Sequence, residues 1–219
     1  MSKKRLSQEG LKGIACLTML LDHIGAILFP QVLWLRVIGR IAFPIYCFLL
    51  AEGAHYTKNP TKYAMRLLVG LLLAEIPFDL AHGNLSFAQQ NVMFTLLLGF
   101  LAIQVVKHCS GPMRLLALLP ILAAELLRTD YGAMGVLTVL LFYITREMEE
   151  RRMLQTVGLL ALGFSVFTGS FIQPLAVLAM IPISLYTGEK VSRSSILQWG
   201  FYLFYPAHLL VLWLISTIL

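Results

Sequence analysis

A chain of 219 residues that is 58% hydrophobic and only 13% charged lacks the polar shell of a water-soluble domain. Its apolar runs recur near the roughly 20 residues needed to cross about 30 Å of hydrocarbon, so the solvent is lipid. The net charge of +6 does not point to nucleic acid, because the basic residues occupy short connections between apolar runs rather than a patch interleaved with aromatics.

In chain order, Pro30, Asn59-Pro60, Gly83-Asn84, Gly111-Pro112 and Gly188 punctuate the apolar runs. The pattern predicts an all-α, polytopic integral membrane bundle of about nine transmembrane helices, one domain over 1–219. The spans fall near 11–29, 32–57, 61–81, 91–109, 112–128, 133–146, 153–168, 170–187 and 196–218, the sixth and seventh being short for a straight crossing. With the N-terminus inside, alternate connections collect Lys3, Lys4, Arg5 and Lys12, then Lys58, Lys62 and Arg66, then Lys107 and Arg114, then Arg146, Arg151 and Arg152, then Lys190 and Arg193. Fourteen of the 17 basic residues thus fall on one side, which an even number of spans would undo. Ser2-Lys3-Lys4-Arg5 leads into a run that contains Asp22-His23 and has no small-residue cleavage site beyond it, so the first span is expected to be retained.

Ionisable residues at membrane depth cost roughly 2.5–3.5 kcal/mol each on insertion scales and ask for a partner or a task. At 1.5 Å per residue, Asp22 and His23 lie about 16–18 Å from the inner end of the first helix, Arg40 about 12 Å from the outer end of the second, Glu75 about 20 Å and His208 about 18 Å from the inner face. These five are the candidate catalytic residues, brought by four helices to one slab. Each also has a structural reading. Asp22 would pair with Arg36 or Arg40, and His23 would hydrogen-bond a carbonyl in the core. Arg36 with Arg40, and Glu75 with Asp79, are i,i+4 pairs that share a face and suit interhelical pairing. Lys58, Lys62 and Arg66 at the inner end are either orientation signals or contacts for a donor's phosphates. In Tyr205-Pro206-Ala207-His208 a proline inside the last span places a histidine one turn beyond a phenol. Cys16, Cys47 and Cys109 show no metal-ligand spacing, and no metal is expected.

Leu11-Lys12-Gly13-Ile14-Ala15, Leu21-Asp22-His23-Ile24-Gly25 and Leu35-Arg36-Val37-Ile38-Gly39-Arg40-Ile41-Ala42-Phe43-Pro44 closely resemble the TraX family of membrane proteins. The likeness continues through Glu52-Gly53, Glu75-Ile76-Pro77-Phe78-Asp79, Asn91-Val92-Met93-Phe94-Thr95, Asp130-Tyr131-Gly132 and Tyr205-Pro206-Ala207-His208. Ala54-His55-Tyr56-Thr57 departs from the family pattern, in which a histidine directly precedes the threonine. TraX proteins are associated with N-terminal acetylation of pilin and look like relatives of the acyltransferase family 3 enzymes. Those carry a basic residue eleven positions before a histidine, the spacing of Lys12 and His23.

The resemblance implies a bacterial inner-membrane acyltransferase. Acetyl-CoA or another acyl-CoA would be the cytoplasmic donor, held by Lys12, Lys58, Lys62 and Arg66, and an amine or hydroxyl the acceptor. In that chemistry His23 is the base, with Asp22 or another carboxylate orienting it, and Arg40 supplies positive charge for the oxyanion. The expected partners are acyl-CoA, an unidentified acceptor and membrane lipid. Two readings compete: a proton- or ion-coupled transporter using Asp22, His23 and Glu75 as a relay, and a non-catalytic assembly factor for pilus or envelope proteins.

Overall fold

The computed structural model describes residues 6–83, 85, 88–164, 170–189 and 195–219, without the side chains of 195–198. Lys3, Lys4, Arg5, Asn84, Lys190 and Arg193 lie outside the described residues.

The described residues form an all-helical bundle. Helix α1, Gln8–Ile27, starts where the Ser7 hydroxyl accepts the Gly10 amide at 3.1 Å. A short α2, Leu33–Gly39, is followed after Arg40 and Ile41 by α3, Ala42–Tyr56. Asn59 caps α4, Pro60–Ala81, by accepting the Lys62 amide at 2.8 Å, with Pro60 at a first-turn position that needs no donor. Asn91 does the same for α5, Val92–His108, through the Met93 amide at 2.9 Å. A 3₁₀ segment, Gly111–Ala117, runs directly into α6, Leu118–Leu126. Then come α7, Gly132–Ile144, and α8, Arg151–Gly163. A 3₁₀ turn, Thr145–Glu147, follows α7; a further 3₁₀ segment, Gln173–Ala179, leads into α9, Met180–Ser184, and the last helix is α10, Ser195–Ile218.

Helix α1 packs on α2, α3 and α10, and α10 in turn packs on α4; α4 meets α5, which meets α7, and α7 also packs on α3. The core between them includes Leu11, Ile45, Cys47, Phe100, Ile103, Val136, Phe142 and Leu209. The outward surface carries Leu72, Leu119, Leu126, Phe164, Val211 and Ile218. An apolar exterior of that extent is untenable in water and natural in lipid.

Three helices among the described residues are long and apolar enough to cross a membrane: Gln8–Ile27, Leu33–Tyr56 (α2 and α3 taken together) and Trp199–Ile218. The all-helical expectation is therefore met, whereas the nine apolar runs emerge as helices of very unequal length. The interruption between α2 and α3 inside the second run and the 3₁₀ starts of the fifth and eighth were not anticipated.

Close approach of α1 and α2 requires glycine at two crossings. A Cβ on Gly25 would stand 2.8 Å from Leu35 Cβ, and one on Gly39 would collide with the Asp22 side chain. Small residues let backbones meet where lipid offers no hydrophobic drive to hold helices together.

Candidate functional site

The polar residues at depth sort into three hydrogen-bonded sets. In the first, Asp22 of α1 receives two guanidinium groups from the α2 region. Arg40 Nη2 donates to Asp22 Oδ1 at 2.6 Å and to Oδ2 at 2.7 Å, and Arg36 Nη1 donates to Oδ2 at 2.6 Å. The i,i+4 spacing is what aims both arginines at one carboxylate. Arg40 also reaches Gln173 Oε1 at 3.2 Å through Nη1 and lies 5.9 Å from the Tyr131 ring. Tyr131 stacks on Phe43 at 3.8 Å with its backbone in the left-handed region, φ 66°, where a non-glycine residue is held only by its surroundings.

The second set joins α1 to α10. His23 Nδ1 and His208 Nε2 are 2.8 Å apart, and His208 Nδ1 lies 2.7 Å from the Phe204 carbonyl. A carbonyl can only accept, so His208 carries its proton on Nδ1. With both rings neutral, His208 Nε2 must then accept from His23 Nδ1–H, and the His23 lone pair falls on Nε2. That is the tautomer a general base needs, set through His208 by a backbone carbonyl. Asp22 therefore does not orient His23: adjacent side chains on a helix diverge by about 100°, which sends the carboxylate to the arginines and the imidazole to α10.

The third set is Glu75 of α4 with Asn91. The Asn91 side-chain amide donates to Glu75 Oε2 and to the Leu71 carbonyl, the latter at 3.1 Å. Glu75 is buried, and its Oε1 makes no hydrogen bond with the described residues. Asp22, His23 and Glu75, the proposed relay, thus sit one in each set.

A cavity of about 630 Å³ opens at the end of the bundle that holds Lys12 and Glu52 and runs inward to Val92, Met93 and Tyr205. Lys12 and Arg66 line it, whereas Lys58 and Lys62 are exposed and do not. Lys12 Nζ lies 5.0 Å from the Phe201 ring, and Arg66, 5.3 Å from the Tyr63 ring, has its Nε without a hydrogen-bond partner among the described residues. At the mouth, Glu52 Oε1 accepts from Arg146 Nε at 2.7 Å, and Arg146 Nη2 donates to the Tyr56 hydroxyl at 2.7 Å.

Neither imidazole lines this cavity; Tyr205 does, its ring 6.1 Å from His23 and 5.8 Å from His208. The Tyr205 hydroxyl is itself buried and lies beside the Val92 backbone. A second, more polar cavity of about 320 Å³ lies toward Arg40, Glu125, Asp130, Tyr131 and Gln173.

The TraX protein family model matches residues 7–216. The chain belongs to the TraX family. Among its relatives, the probable fimbrial assembly protein FimC, serogroup H1, of Dichelobacter nodosus is 32% identical, the match covering 92% of each chain. An uncharacterized protein of Rickettsia prowazekii (strain Madrid E) is 32% identical over 42% of this chain and 34% of its own length. No solved structure matches.

Within this TraX chain, four of these contacts escaped the sequence reading. Asn91 and Tyr131 stand inside the family-like motifs quoted above, so their signal was present. Gln173 carried none, and Glu52–Arg146 joins residues 94 positions apart.

Proposed function

We propose that this TraX protein serves the assembly of a fimbria- or pilus-like envelope structure and does so chemically, as an inner-membrane acyltransferase with its N-terminus in the cytoplasm. It would move an acetyl or other acyl group from acyl-CoA to an amine or hydroxyl. The observation that carries this reading is the His23–His208 pair packed behind Tyr205 at the deep end of a cavity bearing Lys12 and Arg66. The volume of about 630 Å³ falls within the range of small-molecule sites. Its two cations suit the phosphates of CoA and its apolar wall suits the acyl-pantetheine arm.

His23 Nε2 would take the acceptor's proton, with His208 holding the ring in the required tautomer. Arg40, whose donors already serve Asp22 and Gln173, would brace the site rather than bind the oxyanion. Lys58 and Lys62 would act at long range, drawing an anionic donor to the mouth. Incubating purified protein with labelled acetyl-CoA and host membrane extract tests the proposal, the expected outcome being a labelled envelope component that a His23→Ala protein does not produce.

A second reading, a non-catalytic assembly factor, is favoured by the name of the Dichelobacter relative, which speaks of fimbrial assembly and of no reaction. Normal assembly in cells that express only a folded His23→Ala protein would decide for it.

A further inference from the structure

We propose that the polar cavity beside Asp130 is a binding site for a neutral polyhydroxyl group, of the kind a sugar ring carries, with the Asp130 carboxylate as its anchor. No residue lines both cavities, so this site stands whether or not the first one takes acyl-CoA.

The cavity is built at the α6–α7 turn, which pairs with Gln90 just before α5. The other end of α5 sends Lys107 to the Ala54 carbonyl at 3.3 Å. The polar cavity therefore lies at the end of the bundle away from the Lys12 mouth. Its volume of about 320 Å³ is at the lower end of small-molecule sites.

Asp130 is held there by its backbone. Its amide donates to the Gln90 carbonyl at 2.8 Å, and its own carbonyl accepts from the Thr95 hydroxyl. The side chain is left over: its carboxylate closes no hydrogen bond or ion pair with the described residues, and it feels the Arg40 charge without meeting it in a salt bridge. Asp130 is half-buried, so its unmet oxygens open on the cavity it lines rather than being sealed in the core. A sheltered carboxylate without donors is costly, and a ligand that brings donors relieves it.

Charge decides the kind of donor. Two guanidinium groups share the Asp22 carboxylate, an excess of one positive charge, and Arg40 carries it to the cavity wall. Asp130 offsets that excess. Glu125, exposed at the rim, accepts the Ala133 amide at 3.1 Å in the first turn of α7, where the helix end favours negative charge. A cation entering the cavity would meet the excess charge of the clamp, and an anion would meet two carboxylates. A neutral ligand meets neither penalty. The rest of the wall both gives and accepts: the Gln173 amide, whose Oε1 serves Arg40 while its Nε2 closes no hydrogen bond with the described residues, the Gln89 amide and the Ser170 hydroxyl. Hydroxyl groups, each a donor and an acceptor, match that mixture, and a vicinal pair can donate to both oxygens of Asp130.

The test is equilibrium binding to the purified protein in a detergent without a sugar headgroup. N-acetylglucosamine is the neutral probe, and glucosamine presents the same ring with an ammonium group. Wild type should bind N-acetylglucosamine saturably, prefer it to glucosamine, and not release it to CoA. Asp130→Asn, which keeps the shape and loses the charge, should weaken binding about 10-fold, the margin of a hydrogen bond to a charged group. Gln89→Ala, at an exposed position, should weaken it by a smaller factor with an unchanged melting temperature. Tighter binding of glucosamine would make the cavity a cation site and overturn the proposal. Displacement by CoA, binding that both variants leave intact, or no saturable binding by wild type would overturn it as well, and each of these leaves the acyl-CoA reading standing.

Discussion

His208 Nε2 and His23 Nδ1 meet at 2.8 Å across the α1–α10 contact, with the other His208 nitrogen committed to the Phe204 carbonyl. Because the second imidazole acts through the first, the two should not contribute independently. His23→Ala is expected to lower transfer about 10²–10⁴-fold while leaving acyl-CoA affinity intact. His208→Ala should lower it less, and the double variant should be no worse than His23→Ala alone. A double-mutant cycle on kcat checks this; additive losses would mean that the two histidines serve separate ends.

Asp22 is the most exacting structural position. Its side chain and that of Arg40 are each about nine-tenths buried, with Arg36 more open at 29% exposure. Removing the carboxylate leaves two guanidinium groups facing each other away from water, and breaking a buried pair costs roughly 3–5 kcal/mol. Asp22→Asn should therefore unfold far more readily in detergent than Arg36→Gln, which retains the Arg40 contact. Arg40→Lys should fall between them, because a lysine keeps the charge but cannot serve Asp22 through one nitrogen and Gln173 through another. Equal melting temperatures for Asp22→Asn and Arg36→Gln would remove Asp22 from the centre of the clamp.

The common level of Asp22 with Arg40 and of His23 with His208 was legible in the sequence because helical rise converts position directly into height along the bundle, and the Asp22 pairing was legible because Arg36 and Arg40 share a face. Azimuth was not. Asp22 and His23 are neighbours in sequence and part company around the helix, which placed the orienting role on His208, 185 positions away. Height alone also grouped Glu75 with the histidines, whereas its side chain turns to Asn91 at the start of α5. The interruption of the helix at Arg40 and Ile41 left no hydropathy signal, since both sides of it are apolar; the nearest cue is Gly39, whose missing Cβ lets α2 approach Asp22. Which inner-end cations face the cavity was equally hidden, because Lys62 and Arg66 are i,i+4 neighbours and yet only Arg66 lines it.

That last distinction sets a prediction for donor binding. Lys12→Ala and Arg66→Ala should each raise the acyl-CoA KM with little change in kcat, the signature of lost uniform binding. Lys58→Ala and Lys62→Ala should leave KM near wild type at physiological salt and show an effect only at low ionic strength, where screening is weak. Initial rates at two salt concentrations separate the groups. A KM rise for the exposed lysines that survives high salt would place the donor's phosphates outside the cavity.

The final prediction concerns topology, where helix length and charge bear on the same question. Helix α8 has 13 residues, a rise of about 20 Å, well short of the roughly 30 Å hydrocarbon core. Helix α6 is shorter at 9 residues, but it continues without a break from the seven-residue 3₁₀ segment before it. At about 2 Å per 3₁₀ residue, that composite reaches about 28 Å. Helix α7 also has 13 residues but continues into the 3₁₀ turn Thr145–Glu147, and Gln173–Ala179 with α9 reaches about 22 Å; α8 is thus the shortest crossing among the described residues by a narrow margin. If α8 spans, all the basic connections fall on one side, and a periplasm-only reporter fused after Leu219 should be active, as should a cytoplasm-only reporter placed between Met148 and Glu150. If α8 instead enters and returns, the side of Leu219 inverts while the 148–150 position stays cytoplasmic. Paired reporters at the two positions thus isolate α8 from every earlier helix. Cytoplasmic signal at both sites would reduce the crossings to an even number and place the re-entrant segment after Glu150, in α8 or in the equally short segment Gln173–Ser184.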